Sequence, residues 1–172
     1  MPLEIRETPI GGKLNDFLNV VDYVYRGDHK YVRPLDMEMK DRLSLKNPFF
    51  EHADGVIFTA HRNGWCVGRV TAQVDREHLA RYKDDTGSFG FLDTIDDAEV
   101  AKALLDAASN WLRVRGMKHI RGPLSLSLND EMGCLVDGFD TPPMIMMPHH
   151  RQYQGGLIEQ AEELTLDLIA GG

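Results

Sequence analysis

The segment from Ser88 to Leu128 constrains the fold more than any other part of this chain. Ser88 to Ile95 reads as a strand, rich in aromatic and apolar residues and closed by Asp96 and Asp97. From Asp97 to Arg115, the residues Val100, Ala101, Leu104, Leu105, Ala108, Trp111 and Leu112 recur at helical spacing. That spacing gathers them on one helix face, and Gly116 stands where a helix stop is needed. Lys118 to Leu128 reads as a return strand, interrupted by Gly122-Pro123. A strand, a helix and a second strand of one sheet connect by a right-handed crossover that leaves the two strands parallel. The chain is therefore expected to build its sheet around a central β-α-β unit.

Antiparallel strands are expected before that unit. Gly55 to Ala60 and Trp65 to Val74 flank Arg62-Asn63-Gly64, and Asn-Gly between apolar runs is a strong hairpin signal. Upstream, Asp16 to Arg26 carries Phe17, Leu18, Val20, Val21, Val24 and Tyr25 at helical spacing, with Asn15 or Asp16 available as the N-cap and Gly27 as the stop. Pro34 makes Tyr31 to Leu35 extended, and Asp36 to Leu45 reads as a short helix broken by Asn47-Pro48. Tyr153 to Glu163 reads as helix and Leu164 to Ile169 as one last strand. The expectation is a mixed α/β (α+β) sheet in a single domain over residues 1–172, with its final strand in question.

Composition removes several classes of function. The chain has 172 residues, and no apolar run approaches the roughly 20 needed to cross a bilayer. Glu4, Arg6 and Glu7 interrupt what a secretory signal would need to keep apolar, so a cytoplasmic chain without membrane partners is expected. The formal charge of −8 argues against nucleic acid, because neutralising phosphates needs a basic surface. Cys66 and Cys134 are the two cysteines, too few for a disulfide framework, and no close Cys/His set suggests structural zinc. His149 and His150 are adjacent and so lack the one-turn separation of a helical metal pair; no metal is expected.

Candidate chemistry clusters at the ends of the crossover unit. Asn129-Asp130-Glu131 follows the return strand, at the carboxyl end where open α/β sheets bind ligands. A carboxylate there can act as general base, and an Asx turn or a short helix cap is the structural alternative. Ser125 and Ser127 share one face of the strand before it, lining a pocket or covering a polar sheet face. Asp96, Asp97 and Glu99 suit the positive end of the following helix, and would repel a phosphate there. Met144-Ile145-Met146-Met147 suits core packing or the floor of an apolar groove. Cys134 has no hydrolase signature around it, and Gly87-Ser88-Phe89-Gly90 lacks the Lys-Ser or Lys-Thr of a phosphate loop.

Several phrases together resemble a known group. Lys46-Asn47-Pro48-Phe49-Phe50-Glu51-His52, Val67-Gly68-Arg69-Val70, Gly87 to Phe91, Trp111 to Gly116, Ile120-Arg121-Gly122-Pro123 and Val136-Asp137-Gly138-Phe139-Asp140-Thr141-Pro142-Pro143 resemble bacterial GNAT-like proteins of the acyl-CoA N-acyltransferase superfamily. The resemblance runs to about Ile158, and because such proteins are usually longer, a short or truncated form is expected. It implies a sheet whose fourth and fifth strands splay to admit a pantetheine arm, with backbone amides of Phe91, Leu92 and Asp93 holding the acyl and pantetheine groups; Asn129, after the return strand, is a further expected cofactor-binding residue.

The implied reaction moves an acyl group from acetyl-CoA or another acyl-CoA to a small-molecule or peptide amine. Glu131 or Asp130 would be the base, the amides near Leu92 would stabilise the oxyanion, and Tyr153 would be the acid. Two departures weigh against it. The pyrophosphate loop should fall on Asp96-Asp97-Ala98-Glu99-Val100-Ala101, which holds three acids, no glycine and no base. The usual acid tyrosine should fall near Leu157 or Ile158, one helical turn beyond Tyr153. A catalytically degenerate module that binds a small ligand or a protein is the alternative. A sheet edge left exposed at the end of the chain would favour a homodimer.

Overall fold

The computed structural model describes residues 2–122 together with Tyr153 and Leu157. Five strands form one mixed sheet in the order β1-β2-β3-β4-β5. They are β1 (Glu4–Pro9), β2 (Ala53–Arg62), β3 (Trp65–Asp75), β4 (Thr86–Thr94) and β5 (His119–Arg121). The first four are antiparallel neighbours, and β5 lies parallel to β4, as the crossover predicts. Four helices are described: α1 (Asn15–Val24), α2 (Asp36–Arg42), α3 (Arg76–Tyr82) and α4 (Ala98–Val114).

The hairpin and the crossover helix form where their local chemistry places them. Asn63 and Gly64 both take positive φ, 55° and 79°, the twist that a two-residue hairpin turn needs. Asp97 caps α4 by accepting from the Glu99 amide at 2.9 Å, and Gly116 follows its end with φ 85°. Of the expected return strand, His119–Arg121 is described, starting one residue after Lys118; residues 123–128 lie outside the described part.

Elsewhere the boundaries differ for physical reasons. Residue Leu14, not Asn15 or Asp16, is the N-cap of α1, and it offers no side-chain cap bond. Helix α2 stops at Arg42 rather than Leu45, because Leu43 turns fully into the core and its carbonyl accepts from the Gly11 amide. Asn47-Pro48 ends that segment as expected but starts a 3-10 turn, Pro48–Glu51, with the Asn47 side chain accepting from the Phe49 amide. Neither β1 nor α3 is foreseen by periodicity. β1 is a mostly exposed edge strand that exists through its ladder with β2, and α3 is a seven-residue helix without a buried residue, started by the Asp75 cap.

The two faces of the sheet are chemically unlike. On one, Val56, Phe58, Ala60, Val70, Ala72, Val74, Phe89 and Leu92 pack on Val100, Leu104, Leu105, Ala108 and Leu112 of α4. Each fully buried large side chain contributes about 1.5–3 kcal/mol. Glycines let α4 lie close: a Cβ at Gly87 would stand 2.4 Å from Leu112 Cδ2, and one at Gly68 2.8 Å from Leu104 Cδ1. On the other face, α1 and α2 bring Leu14, Phe17, Leu18, Met39 and Leu43 over Ile57 and Phe91. The strands also bury Thr59, His61, Arg69, Thr71, Gln73, Ser88, Asp93 and Thr94. Eight buried polar side chains on one sheet are where positioning chemistry is to be sought.

Candidate active site

The site is built on an irregularity in β4. Arg69 of β3 pairs with Asp93, but Thr71, two residues on, pairs with Gly90, so three residues of β4 oppose two of β3. Phe91 takes up the extra length with φ 50°, a left-handed conformation that costs a non-glycine residue about 1–3 kcal/mol. The bulge reverses the alternation of side chains. Strict alternation from Phe89 would send Phe91 and Asp93 into the α4 core; instead Leu92 joins Phe89 there, and Phe91 packs with Phe17 and Ile57 under α1. Asp93 comes to the same side as Arg69.

That placement completes a buried polar network. Arg69 donates to Asp93 Oδ2 from Nε at 3.1 Å and from Nη2 at 2.9 Å, and from Nη1 to the Phe17 carbonyl at 2.9 Å. The Tyr25 hydroxyl donates to Asp93 Oδ1. The Arg69 and Asp93 side chains are 6% and 8% exposed, and the guanidinium lies 4.5 Å from the centre of the Phe17 ring. Tyr25 in turn stacks on Tyr31 at 3.8 Å. Burial, reinforced by the Asp93 carboxylate, pushes the Tyr25 phenol well above its ordinary pKa and keeps it a neutral donor. With three donors on it, the Asp93 carboxylate is committed to holding β4 against β3 and α1, which fixes the direction of the backbone at Leu92.

Tyr153 meets the same end of β4 from 59 positions away. Its half-buried hydroxyl donates to the Thr94 carbonyl at 2.6 Å, next to Asp93. One turn on, the Leu157 amide donates to the Tyr153 carbonyl and Leu157 is buried. The tertiary structure thus gathers Phe91, Leu92, Asp93 and Tyr153 around one strand end. Asn129, Asp130 and Glu131 lie outside the described residues, as do Ser125, Ser127 and Cys134. Tyr25 and Arg69 are neighbours of these candidate residues that periodicity missed. Tyr25 passes as one more apolar member of the α1 stripe; a lone arginine inside the apolar run of β3 was the available signal for Arg69.

At the start of α4 the acids are engaged internally. Asp97 Oδ1 serves the cap, Asp97 Oδ2 accepts from Arg62 Nη1, and Arg62 Nη2 reaches Glu99 Oε2 at 3.0 Å. The hydrogen bond from Arg62 is the chief cause that holds the Asp97 carboxyl below the usual carboxylate range. A diphosphate at this helix end would have to displace Asp97 and would face Asp96 and Glu99. These residues do not fit the pyrophosphate of coenzyme A.

Burial pushes the Cys66 thiol up to about 11, so it is protonated at neutral pH. His52, Asp75 and Glu77 have donor atoms within 4.8 Å of one another, but Asp75 Oδ1 already serves His52 at 2.8 Å and the cap of α3. His61, buried beside Thr59 at 2.9 Å, is held below the ordinary histidine pKa by burial and then by Arg6. The folded state therefore binds fewer protons than the unfolded chain. The His61 contribution to stability is full above the unfolded pKa of about 6.5 and is lost as pH falls through the lower folded value. Calorimetric melting is expected to drop from pH 7.5 to 5.5, and His61→Gln to shrink that drop; an equal drop in the variant would show that another group carries it.

This architecture is shared with a solved structure. It superposes on a probable acetyltransferase from Staphylococcus epidermidis with a TM-score of 0.50 and 13% identity, covering 69% of this chain and 71% of that one. The chain has a GNAT-like fold. No family model matches it. In sequence, the chain is 44% identical over 158 residues to Protein YghO of Escherichia coli, a match that covers 91% of this chain and 40% of that protein. It is also 44% identical over 137 residues to a bacterial ceramide synthase of Caulobacter vibrioides, covering 77% of this chain and 35% of that protein. The chain thus spans well under half the length of these relatives. Among its described residues no helix is long and apolar enough to cross a membrane.

Proposed function

We propose that this GNAT-like chain is an N-acyltransferase that moves an acyl group from a thioester to a primary amine, with a long-chain amino alcohol of the ceramide-forming kind as acceptor. The observation that carries the reaction type is the bulge at Phe91, locked from beneath by Arg69, Asp93 and Tyr25 and met by Tyr153 at the end of β4. The acceptor class is supported by the identity with the ceramide synthase.

In this reading the amine nitrogen attacks the thioester carbonyl carbon, the N–C bond forms, the C–S bond breaks and the sulfur leaves as thiol. Backbone amides near Leu92 stabilise the oxyanion, and their preorganisation is what the buried network supplies. Tyr153 delivers the proton to the departing sulfur, giving up its bond to the Thr94 carbonyl to do so. Glu131 or Asp130 takes the proton from the ammonium, with Asn129 beside them.

The test is to incubate the full chain with a long-chain acyl thioester and sphinganine and to detect the amide by mass spectrometry. Tyr153→Phe is expected to lower turnover by about a hundredfold while leaving thioester affinity unchanged. Full turnover in that variant would remove Tyr153 from the chemistry. A second reading, a GNAT-like module that binds without transferring, is favoured by the acids at the start of α4. A melting shift with the thioester but no amide from any amine would select it.

A further inference from the structure

The start of α4 bears on how an acyl donor is recognised. Helix α4 runs for 17 residues and begins after three residues that follow the end of β4. Its first turn therefore comes soon after β4 in the chain, and a bare helix start after a strand is a ready place for phosphate. Here that place is filled from within. The Asp97 carboxylate accepts from the Glu99 amide at 2.9 Å, and the Arg62 guanidinium is shared between Asp97 and Glu99, the latter at 3.0 Å. Three acids, Asp96, Asp97 and Glu99, stand against the one guanidinium. A diphosphate arriving here would meet net negative charge and find the Glu99 amide and the cation engaged.

We infer that this chain recognises its acyl donor through the acyl and pantetheine portions alone, and that a nucleotide diphosphate attached to that arm adds nothing to binding. The inference rests on the acyltransferase reading and specifies its donor: an acyl chain in thioester linkage to a pantetheine arm, whatever that arm is attached to. Asp97 and Arg62 give the helix start its own permanent anion and counter-ion, so selectivity resides at the β4 bulge. In the transfer itself the pantetheine sulfur leaves as thiol and the acyl carbon passes to the amine nitrogen. No bond in that step involves the nucleotide.

Calorimetric titration of the full chain with non-transferable ketone analogues tests this, one of palmitoyl-pantetheine and one of palmitoyl-CoA. The expected result is affinities within about threefold of each other, with a salt dependence no steeper for the CoA analogue. The combined variant Asp96→Asn, Asp97→Asn, Glu99→Gln keeps a capping side chain at position 97 and removes three charges. It should bind the CoA analogue at least fivefold tighter than the parent and leave the pantetheine analogue unchanged. A CoA analogue that binds the parent tenfold or more tighter than the pantetheine analogue overturns the inference while leaving the acyltransferase reading standing. Binding of neither analogue overturns both. An unchanged CoA affinity in the triple variant, against an intact circular dichroism spectrum, removes the acids as the cause.

Discussion

Asp93→Ala is expected to destabilise the fold by about 3–5 kcal/mol, because it leaves the Arg69 guanidinium buried without its counter-ion. In a chain of this size that lowers the melting temperature by roughly 10 °C. Asp93 holds three donors, two from Arg69 on β3 and one from Tyr25 just past the end of α1, so its removal also takes one hydrogen bond from Tyr25. Among the described residues Arg69 keeps the Phe17 carbonyl and the Phe17 ring. Replacing the pair together, Arg69→Met with Asp93→Leu, should recover much of the loss, since most of the single-variant cost is an uncompensated charge and not the worth of the ion pair. The double variant should nevertheless lose turnover, because the bulge that Asp93 anchors is no longer held in one geometry. Denaturant titration of Asp93→Ala, Arg69→Met and the double variant gives the coupling directly. A change below about 1 kcal/mol in Asp93→Ala would mean that the network does not hold β4.

Leu104→Ala should cost about 3–5 kcal/mol, the upper part of the range for a buried leucine. Leu104 is fully buried in the face of α4 that covers the sheet, and it closes on the backbone of β3 where Gly68 has no side chain. The space it leaves cannot collapse easily, because β3 is paired on both edges and α4 is held at its start by Asp97 and Arg62. The expected result is a lower midpoint of urea unfolding at unchanged slope, the mark of lost stability without a changed unfolded state. A loss under 1 kcal/mol would place the main core elsewhere than between α4 and the sheet.

How much of this was legible beforehand depended on the range of the forces involved. The crossover helix and the hairpin were legible because their causes are local: the 3.6-residue spacing from Val100 to Leu112, the Asp97 cap, the Gly116 stop and the Asn63-Gly64 turn all act within a few residues. The edge strand β1 was not, since Glu4 to Pro9 has little β character of its own and is organised by a partner 47 to 57 positions away. The candidate site divides in the same way. Asp97 could be read as a cap from its neighbours alone, but its lock by Arg62 joins positions 35 apart. Gly90, directly before Phe91, is a signal for a bulge within a strand, but it does not say which way the following side chains turn.

By itself, then, the sequence determined a mixed sheet with a parallel β4–β5 pair, an apolar helix on one face, and acids at that helix's start. Only the tertiary structure decided that Asp93 faces Arg69 and Tyr25, and that Tyr153 reaches the carbonyl of Thr94. The physical reason is that an isolated strand leaves open which face a side chain takes. One extra residue in β4 reverses every side chain after it, and whether that residue is accommodated is settled by the pairing with β3 and the packing of α1, not by the residues of β4 alone.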